Sequence, residues 1–149
     1  MVTYPGSFAG YLICSPDPEI DYIASQTVVV SVQQHNRVLA TKLIEKIDVI
    51  GQFFELAFNY VELTGNIQLI IETHSVGNQF NKDNPITIDQ LILDDLFTIP
   101  HLLMSGKLLN SNQQELDTGN VLWQSGQLIY TFNLPIVSNV GITNTGIST

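Results

Sequence analysis

Val121-Leu122-Trp123-Gln124-Ser125-Gly126-Gln127-Leu128-Ile129-Tyr130-Thr131-Phe132 carries the pattern from which the fold class follows. Two runs in which apolar residues alternate with others flank Ser125-Gly126, a dipeptide suited to a two-residue turn. With that turn, Trp123 is expected to face Leu128 and Val121 to face Tyr130. Val121, Trp123, Leu128, Tyr130, Phe132 and Leu134 would then share one apolar, aromatic face, with the indole N–H of Trp123 reaching a partner at the sheet margin. A period of two means strands, so the expectation is an all-β domain.

The same period recurs along the chain. Val28, Val30 and Val32 point one way in 27–32, and Phe54, Leu56, Phe58 and Tyr60 do so in 53–60. Ile67, Leu69 and Ile71 form the inward set of 66–73, and Thr64-Gly65-Asn66 before them reads as a turn, predicting a hairpin with the preceding strand. In 86–93 the phase slips between Ile86/Ile88 and Leu91/Leu93, which predicts a bulge near Asp89-Gln90. Leu96, Phe97 and Ile99, ahead of Pro100, read as a buried crossing between sheets, and Leu108-Leu109 as a short strand or part of a loop. The stretch 38–50 leaves helix and strand both open: Leu39, Leu43, Ile47 and Ile50 make a helical stripe, whereas Thr41, Ile44, Ile47 and Val49 are β-branched. Asp17-Pro18 and 75–85 are loops by composition.

Several strands with at most one short helix predict a two-sheet antiparallel β-sandwich. A jelly roll is the preferred topology. An immunoglobulin-type sandwich is second, because the single cysteine, Cys14, cannot supply that fold's inter-sheet disulfide. Cys14 stands among Tyr11, Leu12 and Ile13 and reads as a small buried hydrophobe. Residues 1–137 are expected to form one domain, and 138–149, rich in Ser, Thr, Asn and Gly, a flexible or partner-ordered tail.

Charge narrows the partners. The 149 residues carry 14 acidic and 5 basic side chains, for a formal charge of −9. Arg37, Lys42, Lys46, Lys82 and Lys107 are too few to neutralise a run of phosphates, so neither nucleic acid nor an anionic membrane is an expected partner. No apolar run has the length of a membrane-spanning helix, and Met1 to Gly10 does not read as a secretion signal. Only 13% of residues are charged, with Asn and Gln taking the place of Lys and Glu, a surface cheap to desolvate against other subunits.

Catalytic signatures are missing: there is no Gly-x-Ser-x-Gly, P-loop, His-Glu-x-x-His or Cys-x-x-Cys, and His35, His74 and His101 stand far apart. Two binding sets remain. Asn78, Phe80, Asn81 and Asn84 combine an aromatic plane with amides, the chemistry that stacks on a sugar ring and hydrogen-bonds its hydroxyls. Glu72, Asp83, Asp89, Asp94 and Asp95 supply hard oxygens for a candidate calcium ion, although Lys82 opposes a cation there and the spacing is not that of an EF-hand. Turn chemistry is the other reading of Asp94-Asp95. No organic cofactor is expected.

The run Phe53-Phe54-Glu55-Leu56-Ala57-Phe58-Asn59-Tyr60, then Ile67 to Thr73, an Asn-rich loop and Ile86 to Leu96 resembles jelly-roll modules of tailed-phage virion proteins, and the closing Tyr130-Thr131-Phe132-Asn133-Leu134-Pro135 fits the same pattern. Those modules are also similar to calcium-dependent carbohydrate-binding modules. The resemblance implies a non-enzymatic structural, assembly or adhesion component of a virion (tail, neck or capsid surface), made in the host cytoplasm, forming a homo-oligomer and meeting other virion proteins. The alternative is a carbohydrate-binding module, calcium-dependent or not, with a host surface glycan as partner. A small hydrolase is the third reading.

Overall fold

The computed structural model describes residues 3–14, 26–47, 51–60, 65–73, 86–94, 96–97, 100–110, 112–122 and 126–134. In chain order the strands are β1 (Tyr4–Cys14), β2 (Gln26–Gln34), β3 (Arg37–Ile47), β4 (Gln52–Tyr60), β5 (Asn66–Thr73), β6 (Ile86–Leu93) and β7 (Leu96–Phe97). One helical turn, α1 (Pro100–Leu103), precedes β8 (Lys107–Asn110), β9 (Glu115–Asp117), β10 (Val121–Leu122) and β11 (Gly126–Asn133). The first sheet has the order β10-β6-β1-β4, with β7 also on β6; the second has the order β3-β2-β5-β11-β8-β9. Every pairing is antiparallel.

The alternating apolar sets meet in one core. Phe8, Leu12, Phe54, Leu56, Phe58, Ile86 and Leu93 from the first sheet pack with Val28, Val30, Val32, Ile67, Leu69, Ile71, Leu128 and Phe132 from the second. This is the expected β-sandwich, two sheets each burying one face in the other. Rings run through it in sequence, Tyr4 to Tyr60, Phe58, Phe8, Phe132 and Tyr130, with successive centroids 5.0 to 6.2 Å apart. Two glycines make room for this: Gly6 lies opposite Phe58 and Gly10 opposite Phe54 in the β1–β4 ladder, each with the ring of its partner lying over it. Tyr130 is fully buried, and its hydroxyl donates to the carbonyls of Leu103, at 2.9 Å, or Gly119, at 3.3 Å, tying the α1 turn to the loop before β10.

Several expectations hold at the level of elements. The bulge falls at Asp89: Tyr11 pairs with Gln90 and Leu12 with Ile88, leaving Asp89 as the extra residue of β6. Asn120 closes the edge there, its Nδ2 donating to the Ile88 carbonyl and its own carbonyl accepting from the Ile88 N–H. The open stretch 38–50 is strand as far as Ile47. Its helical stripe required Leu43 inside, and Leu43 is 55% exposed, whereas Ile44 and Ile47 are buried.

The pairings read from local turns are overturned. β4 pairs with β1 in the first sheet and β5 with β2 and β11 in the second, so they form no hairpin. β10 and β11 also part company: Val121 pairs with Thr87 in the first sheet, while Leu128 pairs with Ile71 and Leu108 in the second. Leu122, not Val121, is the buried residue of β10. A strand contributes the same inward set whether its neighbour in sequence lies beside it or across the core, so alternation alone does not separate the two arrangements. Leu96 and Phe97 do not cross between sheets but fold back onto Leu93 and Ile92. Trp123 and the segment 138–149 lie outside the described residues.

Candidate functional site

The groove is built on the outer face of the six-stranded sheet. Ladder register sets its rows: Gln33, Gln68 and Thr131 lie abreast across β2, β5 and β11, and Ser31, Ile70, Ile129, Lys107 and Asp117 form the next outward row from β2 to β9. Val29, Glu72, Gln127, Leu109 and Glu115 follow. The period of two that drives Leu69, Ile71, Leu128 and Tyr130 inward thus presents outward a face in which amides and hydroxyls are mixed with the aliphatic Val29, Ile70, Ile129 and Leu109 and the charged Glu72, Lys107, Glu115 and Asp117.

A groove of about 490 Å³ opens on this face. Leu109, Ile129, Gln68 and Thr131 line it from the sheet and Leu102 and Ser105 from the α1 turn, mixing apolar side chains with an amide and two hydroxyls. Lys107 stands at its far side, 3.3 Å from Glu115 and 3.8 Å from Asp117, all three exposed. Such an exposed pair contributes little to stability, but it leaves the groove without an uncompensated cation. Gln68 Nε2 donates to Thr131 Oγ1 at 3.3 Å, and Ser105 Oγ donates to the Leu102 carbonyl at 2.6 Å, so α1 and β5 hold the groove's polar groups in place.

The turn beyond β8 is knitted just as closely. Asn110, 4% exposed, accepts at Oδ1 from the N–H groups of Asn112 and Gln114 and donates through Nδ2 to Gln114 Oε1. This is an Asx-type loop, in which the side chain substitutes for a missing strand partner. At the opposite end, His35 and Asn36, with φ of 52° and 63°, join Gln34 to Arg37 as a two-residue hairpin turn. Sequence reading missed this turn because it lacks glycine; Asn36, tolerant of positive φ, was the available signal.

The residues singled out from sequence fall into three groups. Asn78, Phe80, Asn81 and Asn84, with Asp83 and Asp95, lie outside the described residues. Glu72 is on the outer face of the second sheet, where it accepts from Gln127 Nε2 at 3.4 Å. Asp89 and Asp94 belong to the first sheet, on the far side of the core from Glu72. Asp94, with φ 50°, turns β6 into β7; its Oδ1 accepts from the Ser7 N–H at 2.8 Å and its N–H donates to the Ser7 carbonyl. Its carboxylate and Tyr4, after burial, push the Tyr60 phenol above its ordinary value. Glu72 is therefore not brought together with Asp89 and Asp94, and among the described residues no group of three His, Cys, Asp or Glu side chains is placed to hold a metal ion. Of the histidines, His35 lies at the β2–β3 turn, His101 in α1, and His74 outside the described residues. Phe53, 54% exposed and paired with Tyr11 on the outer face of the first sheet, is an aromatic surface that the inward-set reading of 53–60 passed over.

No helix among the described residues is long and apolar enough to cross a membrane. No protein-family model matches the chain, and no curated protein does. Among solved structures, the chain is similar to vCBM60 in complex with galactobiose, at 13% identity and a TM-score of 0.48, over 86% of this chain and 99% of that one. It is also similar to a selenomethionine form of vCBM60, from work on two families of calcium-dependent carbohydrate-binding modules, at 14% identity and a TM-score of 0.46, over 86% of this chain and 91% of that one. Both TM-scores are below 0.5, and the site stands on its own residues.

Proposed function

We propose that the chain is a non-catalytic carbohydrate-binding module whose ligand lies on the outer face of the six-stranded sheet. One observation carries this reading: the groove of about 490 Å³, lined by the apolar Leu102, Leu109 and Ile129 and the polar Gln68, Ser105 and Thr131. A sugar has the matching duality, C–H faces that pack on apolar side chains and hydroxyls that exchange hydrogen bonds with amides and alcohols. The groove's lining holds one carboxylate, Glu115, already engaged by Lys107, whereas hydrolysis of a glycosidic bond ordinarily uses a pair of carboxylates flanking it. No observation on the described residues favours assembly into a virion over this reading.

A glycan array followed by titration calorimetry tests it, with galactobiose among the probes. Gln68→Ala and Thr131→Ala each remove a polar lining group and should weaken binding by about 1 kcal/mol, roughly fivefold in Kd, without lowering the melting temperature appreciably. Binding that is retained in full by the double variant would place the sugar elsewhere, with Phe80 as the next residue to mutate.

A further inference from the structure

We infer that the groove is the middle of a longer trough shaped for an uncharged glycan chain extending beyond a disaccharide; this rests on the glycan-binding reading above. The central groove shares Gln68 with a second depression, of about 270 Å³, beside the His35-Asn36 turn. It shares Leu109 with a third, of about 380 Å³, beside the Asn110 loop. The first two use outward rows of the same sheet, and the third joins them through outward Glu72, Leu109 and Gln127 while reaching Thr73, Asn110 and Gly126 at the strand ends. From Asn133, opposite Asn66, to Gln127, opposite Glu72, the strands advance roughly 20 Å at the usual rise per residue. That length exceeds what one or two sugar rings occupy.

The charge of the lining selects against anionic polymers. Its single lysine, Lys107, is already engaged by Glu115 and Asp117, and Glu72 adds a carboxylate near the third depression. The other polar lining groups are amides and hydroxyls, with the His35 ring at one end. A uronic acid or sulfated chain would meet carboxylates with no free cation among these lining groups, whereas a neutral chain meets donors and acceptors throughout. The two ends are also held by their own turns, so little ordering is needed when a chain enters.

Titration calorimetry of the intact chain with galactose oligomers, and with oligomers of any other neutral sugar the array selects, from monosaccharide to hexasaccharide, tests the length. Affinity should rise about tenfold or more between disaccharide and tetrasaccharide. Gln33→Ala at one end and Gln127→Ala at the other should each weaken the hexasaccharide several-fold and leave the disaccharide unchanged, with melting curves confirming that both variants fold. Affinity already complete at the disaccharide, equal losses for short and long chains, or tighter binding of a polygalacturonate than of any neutral chain overturns the trough while leaving the central site standing. Failure of every neutral series overturns the glycan-binding reading beneath it.

Discussion

A Cβ added to Gly10 would stand 2.7 Å from the Gln90 carbonyl oxygen and 2.8 Å from the ring of Phe54, closer than real side chains approach. The carbonyl belongs to the backbone beside the β6 bulge and cannot turn aside, so strand β1 itself must shift. Gly10→Ala is therefore expected to cost about 1–3 kcal/mol, as overpacking in a filled core does, and to lower the melting temperature by several degrees in circular dichroism. Tyr130 is a second position where one atom matters. Burial pushes its phenol well above the ordinary value of 10.0, so the folded state holds the proton that the unfolded chain releases. The stabilisation is complete below pH about 10 and is lost as pH rises from there toward the folded value. Tyr130→Phe should flatten that alkaline decline while lowering stability at neutral pH by about 1 kcal/mol, because the carbonyls of Leu103 and Gly119 lose their donor. Equal alkaline slopes for the two proteins in denaturant titrations would place the linkage elsewhere.

At the scale of elements, β6 shows what sequence made legible. Its apolar residues change phase at Asp89, and only a bulge lets Ile86, Ile88, Leu91 and Leu93 all face the core. Deleting Asp89 should return one half of the strand to the wrong face and abolish the cooperative melt, while Asp89→Ala, which keeps the count and loses only an exposed side chain, should melt within about 0.5 kcal/mol of the parent. The inward sets of β2, β4, β5 and β11 were equally legible, because burial follows from alternation within one strand. Partners were not. The links between β4 and β5 and between β10 and β11 were read as hairpins, yet both lead from one sheet to the other, and a residue facing the core looks the same on either side of it. The site was harder still. Gln68, Thr131 and the Ser105 to Leu109 segment lie far apart in sequence and become neighbours only through the order β5-β11-β8, which no local pattern encodes. What sequence did supply was the amide-rich composition, from which Gln33, Gln68 and Gln127 stand on the outer face.

For the molecule as a whole, charge acts on the fold and the ligand site in different ways, and one titrant separates them. A formal charge of −9 on 149 residues makes the folded chain repel itself, more strongly than it would when expanded. Raising salt from about 0.02 M to about 0.5 M shortens the screening length to a few ångströms and should raise the melting temperature. The trough behaves otherwise. Its lysine is engaged by two carboxylates, and apart from Glu72 the groups left to meet a neutral sugar are chiefly dipoles, whose interactions at contact distance are scarcely screened. Glycan affinity should therefore change by less than about twofold across the same range, while the fold becomes more stable. Calorimetry at both salt concentrations on one preparation checks the pair. An affinity that falls steeply with salt would mean that the ligand is held by free charge, and that the outer face of the six-stranded sheet, where Lys107 is already spoken for, is not what holds it.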